Sequence, residues 1–433
     1  MNGLSLKSDV AIAGAGPVGC ITALSFARQG AKVLLLEANP AEGVERLSGE
    51  WLHPPALQVL ESLNLKLPHS DSYATGEGYV VFPDDGTEPI VLNYPEGLKG
   101  RSVEHKLLVL ALREAVEAHP SIQFLSSARA THLEGNQLTF MDTVQGSLKT
   151  VTAGQIVGAD GRASVVRKQL GHPNGRAKIS LMAGILLENA ELPFEGYGHV
   201  LLGGPGPALV FRISPHSLRV CLDVPSKDYN AKEASAYLWK AYSPILPPTL
   251  LPAFQEALQK RILWAPNQFR SRTYYGEPGI ALVGDAVGHF HPLTAAGLTL
   301  GFKDAECLAR SQNFEEYRKE RSALTYVLQL LADSLYQVFT RQDAGSAALR
   351  NAIYRTWRQN PSERERTMRI LAGLETNVDQ FRKAFLKMMR SALPGVLHHT
   401  LIPKQWGSKV TSVKGFLHWF KWIRTQTSTL SVK

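Results

Sequence analysis

The sequence predicts an α/β protein in which a parallel sheet is interrupted by a mostly antiparallel sheet and followed by a helical C-terminal region. Three patterns carry this prediction. Short apolar runs lead into glycine-rich turns, alternating β-branched runs fill residues 176–267, and apolar residues recur at helical spacing after Phe314. The length of 433 residues is enough for two or three domains.

The composition is typical of a globular protein, with 44% apolar and 20% charged residues. It excludes disordered, collagen-like and coiled-coil chains. The net charge of +9 comes from the end of the chain, because residues 380–433 contain ten Lys and Arg and no acidic residue. Since no nucleic-acid-binding module is recognisable, this charge does not indicate a nucleic-acid partner.

The same basic segment contains an amphipathic stretch, residues 415–424, which read GFLHWFKWIR. On a helix, one face would carry Phe416, Trp419, Phe420 and Ile423. Aromatic residues opposite basic ones predict peripheral contact with an anionic membrane surface. The alternative is a terminal helix docked on the protein itself.

Cysteine spacing and hydropathy indicate the compartment. Cys20, Cys221 and Cys307 lie far apart without a CxxC pair, which favours a reducing environment over a disulfide framework. No apolar run approaches 18 residues and no signal peptide is recognisable, so we expect no membrane span. The predicted location is cytoplasmic, with possible peripheral contact at the cytoplasmic face of a membrane.

The N-terminal segment predicts a complete βαβ unit. Residues 10–13 form a buried strand, residues 14–19 (GAGPVG) a glycine turn, residues 20–29 a helix and residues 31–36 a second strand. This order is the signature of a Rossmann-like dinucleotide-binding domain.

The glycines of this turn have separate tasks. Gly14 makes the tight turn, Gly16 lets the backbone approach a pyrophosphate, and Gly19 allows helix and strand to pack closely. Glu37 ends the second strand and can bind a ribose hydroxyl. The turn alone does not distinguish FAD from NAD. The cofactor residues assigned to it are Gly14, Gly16, Pro17, Val18 and Gly19.

Two later strand-and-turn motifs distinguish them. Residues 155–159 lead into Asp160-Gly161, and residues 279–283 lead into Gly284-Asp285. In this order the motifs resemble the DG and GD motifs of single-component flavoprotein monooxygenases, the para-hydroxybenzoate hydroxylase class. Asp285 can accept a hydrogen bond from the ribityl chain. A helix beginning near Gly297 would direct its positive end towards reduced flavin.

Within that class, the details resemble squalene epoxidases over about residues 8–360. Four stretches carry the resemblance: 46–54 (RLSGEWLHP), Gly78-Tyr79, 100–113 (with Gly100-Arg101-Ser102, His105 and Leu112-Arg113), and 291–304 (beginning HPLT). The resemblance implies FAD as the cofactor. It adds Arg46, Arg101, Asp160, Asp285, Pro292, Gly297 and Leu298 to the cofactor-binding residues. Because the chain has no second GxGxxG motif, NADH or NADPH would be a transient electron donor.

Three positions depart from the family pattern. His53 replaces a glutamine that bonds the family's active-site tyrosine, which aligns with Tyr79; residues 295–297 read AAG instead of GGG; and Leu107 replaces an arginine. Arg101 or Lys106 would compensate for that missing arginine. We predict that Tyr79 and His53 orient the substrate or hold a proton, and that a His53 of near-neutral pKa relays protons.

The resemblance implies an NAD(P)H-driven monooxygenase that inserts one oxygen atom from O₂, as an epoxide, into a lipophilic prenylated or polyisoprenoid substrate. A prenylated quinone, a prenylated quinolone or another secondary metabolite fits this description. Two alternatives stay open: a flavin-dependent reductase of prenyl double bonds, of the geranylgeranyl reductase type, and a non-catalytic lipid-binding protein. The DG motif, with Ser164 and Arg167, and the HPLT stretch favour the monooxygenase. No obligate protein partner is evident.

These assignments define a domain plan. The discontinuous FAD-binding domain comprises residues 1–70, 98–175 and 268–320, the substrate-binding β-sheet domain residues 71–97 and 176–267, and the helical region residues 321–433.

Two remaining patterns are interpreted conservatively. An apolar stripe at helical spacing is better explained by packing than by a ligand site; it comprises Leu324, Val327, Leu328, Leu331, Leu335 and Val338. His289 and His291 form an H-x-H pair, but a metal needs further ligands, so we expect no metal site.

Overall fold

Two β-sheets of different construction and a C-terminal group of helices make up the protein. The computed structural model describes residues 5–42, 46–68, 75–172, 177–401 and Trp419. Over these residues the strands are β1 (Ser5–Ala13), β2 (Val33–Leu36), β3 (Trp51–Leu52), β4 (Gly78–Phe82), β5 (Ile90–Asn93), β6 (Arg101–Ser102), β7 (Ile122–Leu125), β8 (Ala128–Glu134), β9 (Gln137–Asp142), β10 (Ser147–Gly158), β11 (Ala177–Glu188), β12 (Tyr197–Leu201), β13 (Ala208–Ser214), β14 (Ser217–Pro225), β15 (Leu263–Phe269), β16 (Gly276–Glu277) and β17 (Ile280–Leu282). The α-helices are α1 (Pro17–Arg28), α2 (Pro54–Ser62), α3 (His105–Glu117), α4 (Val165–Gln169), α5 (Ala234–Tyr242), α6 (Leu251–Ala257), α7 (Gly297–Arg310), α8 (Phe314–Thr340), α9 (Ala344–Gln359), α10 (Pro361–Leu371) and α11 (Val378–Leu401).

The first sheet contains the N-terminal strand. Its order is β16-β17-β10-β1-β2-β7, and the central strands β17, β10, β1, β2 and β7 run parallel. Strands β8 and β9 extend it as an antiparallel hairpin paired to β10. Residues 10–13 and 33–36 are buried, as expected for parallel strands covered by helices on both faces. The predicted βαβ unit is therefore confirmed.

The second sheet is the inserted, mostly antiparallel sheet that the sequence predicts. Its order is β15-β11-β14-β13-β12-β4-β5, and the pair β12–β4 is parallel. Along β13 the side chains alternate between two apolar clusters. Val210 packs with α5 and α6 on one face, whereas Leu209 and Phe211 join a cluster with Tyr79 on the other. Side chains therefore alternate between the two faces of the sheet, and the face that carries Tyr79 packs against the C-terminal helices.

The helical region packs on that face through α8, α9 and α10. Helix α8 begins after Asn313, whose side chain accepts a hydrogen bond from the Glu316 N–H at 3.0 Å. The predicted apolar stripe of α8 is buried except at Leu324, which is 37% exposed, and Leu335, which is half-buried. The prediction that Leu324 belongs to the buried stripe is therefore wrong.

Two findings concern membranes. None of the helices in the described ranges is both long and apolar enough to cross a bilayer. The predicted interfacial segment 415–424 lies outside the described residues, apart from Trp419. Trp419 is 0% exposed, and its ring centre lies 6.0 Å from that of Phe385 on α11.

Candidate active site

The three glycine turns meet around the first one. Gly14 has a left-handed φ of +102°, and a Cβ there would lie 2.6 Å from the Ala159 carbonyl oxygen. A Cβ on Gly284 would lie 3.1 Å from a methyl of Val18, and one on Gly301 only 2.3 Å from another. The turn after β1 is thus held between the end of β10, the turn after β17 and helix α7.

The N-terminus of α1 opens onto free space. The helix begins at Pro17, and its N-cap Gly16 is extended, with no side chain capping the first N–H groups. A Cβ on Gly16 would have no heavy atom within 4 Å. Uncapped backbone donors and a positive helix end are the usual site for a pyrophosphate.

Glu37, which follows β2, lies beside the turn between β1 and α1. Its carboxylate accepts a hydrogen bond from the Ala15 N–H at 3.0 Å and pairs with Arg113 at 3.1 Å. Arg113 in turn donates to the Ala15 carbonyl oxygen at 3.0 Å. Arg113 is not among the cofactor-binding residues that the sequence predicts. Two signals were available: Arg113 ends the 100–113 stretch that resembles the family, and it lies on the face of α3 that buries Leu108 and Leu112.

The two acidic motif residues lie on the other side of the turn. One oxygen of Asp160 accepts hydrogen bonds from the N–H groups of Val165 and Val166. Its other oxygen is buried without a hydrogen-bond partner in the described part of the chain, and burial raises the pKa of this carboxyl group. Asp285 accepts a hydrogen bond from Arg162 at 3.1 Å and lies beside Gly297, where α7 begins.

A buried ionic cluster fixes the turn that carries Asp285. Asp304 on α7 is 0% exposed, pairs with Arg272 and Arg321, and accepts a hydrogen bond from the Gly284 N–H at 2.8 Å. Arg272 also donates to the carbonyl oxygens of Gly284 and Gly288, at 2.9 and 3.0 Å. Because both arginines and the carboxylate are paired, the cluster can remain charged inside the protein.

The other predicted cofactor residues lie around the glycine turn after β1 and the start of α1. Arg46 is exposed and close enough to His105 to act on its charge; burial, followed by this and other charges, lowers the pKa of His105 to about 4. Arg101 is half-buried in β6. Pro292 begins a 3₁₀ turn, and Leu298 lies in the first turn of α7. Their contacts with a cofactor stay predictions.

This arrangement fits FAD. Open backbone donors at the start of α1 suit the pyrophosphate, and one buried oxygen of Asp160 has no hydrogen-bond partner among the described residues. Both oxygens of Glu37 already accept hydrogen bonds, from Ala15 and Asn39, so its contact with a ribose stays a prediction. The start of α7 beside Asp285 provides the positive helix end that reduced flavin requires.

His53 lies at the centre of a buried hydrogen-bond chain. Its Nδ1 is 2.6 Å from the Tyr94 hydroxyl oxygen, and its Nε2 is 2.8 Å from the Thr294 carbonyl oxygen. A carbonyl can only accept, so Nε2 carries the proton and the Tyr94 hydroxyl donates to Nδ1. The Trp51 indole N–H completes the chain by donating to Tyr94 at 3.1 Å.

His53 does not take over the bond to the tyrosine that the resemblance gives to a glutamine at this position. Tyr94 and the Thr294 carbonyl occupy both ring nitrogens of His53, and neither bonds Tyr79. Burial lowers the pKa of His53 to about 4, so the ring is neutral at physiological pH. These surroundings therefore do not favour the predicted proton relay through His53, which requires a near-neutral pKa. His53 instead connects Tyr94 to the loop that precedes α7.

The Tyr79 hydroxyl remains available. It is buried and has no hydrogen-bond partner among the residues described, while its ring packs 5.2 Å from the Trp51 ring. Gly198 makes room for it, because a Cβ at that position would lie 2.7 Å from the Tyr79 ring. An unused buried hydroxyl is unfavourable unless a ligand meets it. Tyr79 is therefore a strong candidate for contacting the substrate.

A second network anchors the HPLT loop to the second sheet. The Leu293 N–H donates to His291 Nδ1 at 3.2 Å, so Nε2 carries the proton and donates to Asp223 at 3.0 Å. Asp223 also accepts hydrogen bonds from Asn267, at 2.8 Å, and from Ser180. This loop is thereby joined to β11, β14 and β15.

An ion pair provides a further connection. Arg219 on β14 binds the Glu50 carboxylate through two nitrogens, at 2.8 and 2.9 Å, and both side chains are buried. The pair joins the segment before Trp51 to the second sheet. Together with the His291 network, it fixes the sheet face that carries Tyr79, called here the substrate wall, relative to the glycine turn after β1 and the start of α1, called here the cofactor cradle.

Comparison with known proteins supports a flavoprotein assignment. A family model described as squalene epoxidase matches residues 152–400, and one described as FAD dependent oxidoreductase matches residues 9–74. The chain is similar to the squalene epoxidase of Aspergillus fumigatus, with 32% identity over 387 residues that cover 80% of this chain and 78% of that protein.

Two further similarities extend this result. The squalene epoxidase of Candida albicans is 29% identical over 420 residues, which cover 81% of this chain and 84% of that protein. The solved structure of the flavin-dependent brominase Bmp2 superimposes with a TM-score of 0.72 at 19% identity, covering 89% of this chain and 99% of that chain. This structural likeness shows the fold.

The first prediction compares two glycines of the same turn. A Cβ on Gly19 would lie 1.8 Å from the Gly14 carbonyl oxygen, so Gly19→Ala should destabilise the apoprotein by about 3 kcal/mol or more. Gly16→Ala has open space and should change apoprotein stability by less than about 1 kcal/mol. It should nevertheless weaken FAD binding, measured by flavin fluorescence titration. Unchanged FAD affinity in Gly16→Ala would contradict the pyrophosphate placement.

The second prediction concerns the two buried tyrosines. Tyr94→Phe removes the partner of both His53 and Trp51, so it should lower the free energy of unfolding by about 1–3 kcal/mol. Tyr79→Phe is the matched control, because its hydroxyl has no partner in the described ranges, and it should be neutral or slightly stabilising in urea unfolding without substrate. Equal losses in both variants would contradict the hydrogen-bond chain.

The third prediction concerns pH. Because burial lowers the pKa of His53 from 6.5 to about 4, the unfolded chain binds a proton in this range that the folded protein does not. Stability is therefore lost as the pH falls from about 6.5 to about 4. His53→Gln keeps an acceptor for Tyr94 and a donor for Thr294. It should reduce the slope of unfolding free energy by up to about 1.4 kcal/mol per pH unit. Parallel curves for both proteins would rule out this contribution.

Proposed function

This chain belongs to the squalene epoxidase family of FAD-dependent monooxygenases, and from that premise we propose that it epoxidises a carbon–carbon double bond of a lipophilic isoprenoid substrate. Bound FAD supplies the redox chemistry, which activates O₂ after reduction. The protein has to place the double bond near the flavin, exclude water and hold the proton that oxygen transfer requires.

The observation that carries the proposal is the apolar cluster beside the cofactor cradle. It joins Tyr79 and Phe211 of the second sheet, Leu293 and Leu300 around the start of α7, and Leu331 of α8. A site enclosed by apolar side chains retains a hydrocarbon and excludes the water that would compete for a reactive oxygen species. This lining suits an isoprenoid chain better than a small polar aromatic acid.

The cluster continues into a groove among α8, α9, α10 and α11. The groove has a cavity volume of about 150 Å³, and three residues of the α8 stripe line it: Leu331, Leu335 and Val338. Charged residues also line it, namely Glu363, Arg366 and Lys387. The helical region therefore adds further apolar surface next to the substrate wall.

Two polar groups in this wall have different tasks. The Tyr79 hydroxyl, which the protein leaves without a described partner, contacts a polar group of the substrate or holds the proton during oxygen transfer. His53 is neutral and held at both nitrogens, so it positions the loop before α7. The assigned role of His53 is thus positioning, and Tyr79 is the candidate catalytic residue.

The finer substrate assignment follows from the same lining. A polyisoprenoid hydrocarbon such as squalene needs only the apolar wall, whereas a prenylated quinone or quinolone offers a polar group that Tyr79 can meet. We favour the prenylated quinone or quinolone, because the buried Tyr79 hydroxyl would otherwise stay unpaired. NADH or NADPH reduces the flavin in a transient encounter, since the sequence has no second GxGxxG motif.

The fourth prediction tests the reaction directly. Purified yellow protein with NADH or NADPH should consume O₂ faster when the correct isoprenoid substrate is added, and the product should gain the mass of one oxygen atom. Squalene, prenylated quinones and prenylated quinolones form the test panel. Oxygen electrode traces and product mass spectra provide the measurement. Anaerobic gain of two hydrogens without O₂ consumption would replace the proposal with the reductase alternative.

Tyr79→Phe separates catalysis from folding in the same assay. It should retain FAD and stability but release about tenfold more hydrogen peroxide per NAD(P)H, because a lost hydrogen bond to the substrate is worth about that factor. Tyr197→Phe is the control, since that hydroxyl bonds Asn93 near the surface. Normal coupling in Tyr79→Phe would remove Tyr79 from the catalytic role.

A further inference from the structure

One buried histidine of the GD region is not used by the site described above. His289 lies between the Gly284–Ala286 turn and the Pro292–Thr294 turn and is 5% exposed. Neither of its ring nitrogens has a hydrogen-bond partner in the described residues. Its backbone is fixed, because its N–H and carbonyl both pair with Arg270, at 3.0 and 2.9 Å.

The other histidines around the site have hydrogen-bond partners for at least one ring nitrogen. His53 and His291 use both ring nitrogens, and His105 uses Nδ1 to bond the Gly49 carbonyl oxygen at 3.0 Å. A buried neutral imidazole has one donor and one acceptor, and leaving both unmet is costly. Burial is the main cause that lowers the pKa of His289 to about 4, so the ring is neutral at physiological pH.

The groups next to His289 are already engaged. Asp285, Arg162 and Arg167 are close enough to act on its charge. Arg162 donates to Asp285 and to the Pro266 carbonyl oxygen, and Arg167 donates to the Ala286 carbonyl oxygen. The Asp285 backbone carbonyl is near the ring but forms no hydrogen bond of acceptable geometry.

A metal does not explain the position. The described ranges contain no group of three or more His, Cys, Asp and Glu side chains that could hold one. The other histidine of the H-x-H pair, His291, is turned towards Asp223. Packing alone does not explain it either, since an apolar residue would fill the same space without unmet polar atoms.

We propose that His289 is a cofactor-binding residue whose ring exchanges hydrogen bonds with the ribityl hydroxyls of FAD. A hydroxyl both donates and accepts, so it matches a neutral imidazole, and Asp285, four residues earlier in the chain, is the residue expected to bind the same part of the cofactor. This inference depends on FAD binding but not on the substrate or on epoxidation.

The fifth prediction uses His289→Leu, which has a similar volume and no polar side-chain atom. The dissociation constant of FAD should rise about tenfold, the effect of losing one hydrogen bond, and the visible spectrum of bound flavin should shift. The apoprotein should unfold at the same or a higher temperature than the wild type, because two unmet polar atoms are removed. Flavin fluorescence titration and thermal unfolding without FAD measure these two effects.

Two variants serve as controls. His199 on β12 is also buried with its Nε2 unpartnered among the described residues, but it stacks on Phe82 in the second sheet. His199→Leu should leave FAD affinity within about twofold of wild type, as expected for an independent site. His289→Gln keeps a donor and an acceptor and should recover most of the affinity. If His289→Leu does not fold, His289→Phe, which also lacks polar side-chain atoms, replaces it in the same test.

The outcomes are separable. Wild-type FAD affinity and spectrum in His289→Leu would overturn the proposal. Loss of apoprotein stability as large as the loss of FAD affinity, without rescue by His289→Gln, would assign a structural role and also overturn it. Because FAD binding is measured without substrate, failure of the epoxidation proposal would not affect either result.

Discussion

At the end of β1 the chain brings together segments that are far apart in sequence, and glycines make this close approach possible. Gly14 touches the end of β10, while Gly284 and Gly301 receive the side chain of Val18. Side chains at these glycines would separate the elements. The predicted pyrophosphate site, both acidic motif residues and the start of α7 therefore depend on one close contact, and the strand order β17-β10-β1 makes that contact possible.

Buried polar groups extend this arrangement towards the substrate wall. Asp304 between two arginines fixes the Asp285 turn, and the pair Glu50–Arg219 fixes the segment before Trp51. The charges in these links are paired, so the links tolerate the apolar surroundings that oxygen transfer needs. Buried polar atoms of Asp160, Tyr79 and His289 have no hydrogen-bond partner among the described residues, and a ligand at these places would complete the network.

Structural elements could be predicted from the sequence where the pattern lies within a short segment of the chain. The βαβ unit and α8 follow from the spacing of apolar residues, and the glycine turns from residue type. The partner of His53 could not be predicted, because Tyr94 and Thr294 reach it from segments 41 and 241 residues away. Leu324 fits the helical period, yet it stays exposed because periodicity describes a helix and not the extent of its neighbour.

The interleaved strand order also has a consequence during synthesis on the ribosome. Strand β4, which carries Tyr79, pairs with β12, and β10 pairs with β17 near residue 280. The nascent chain must therefore keep β4 and β10 incompletely paired while the later strands are made. Unpaired strand edges favour wrong association, and long-range pairing folds slowly. Asp304 fixes the turn that carries Asp285, so the complete FAD site can form only after the ribosome has synthesised residue 304. We therefore expect FAD to bind late during synthesis of the chain.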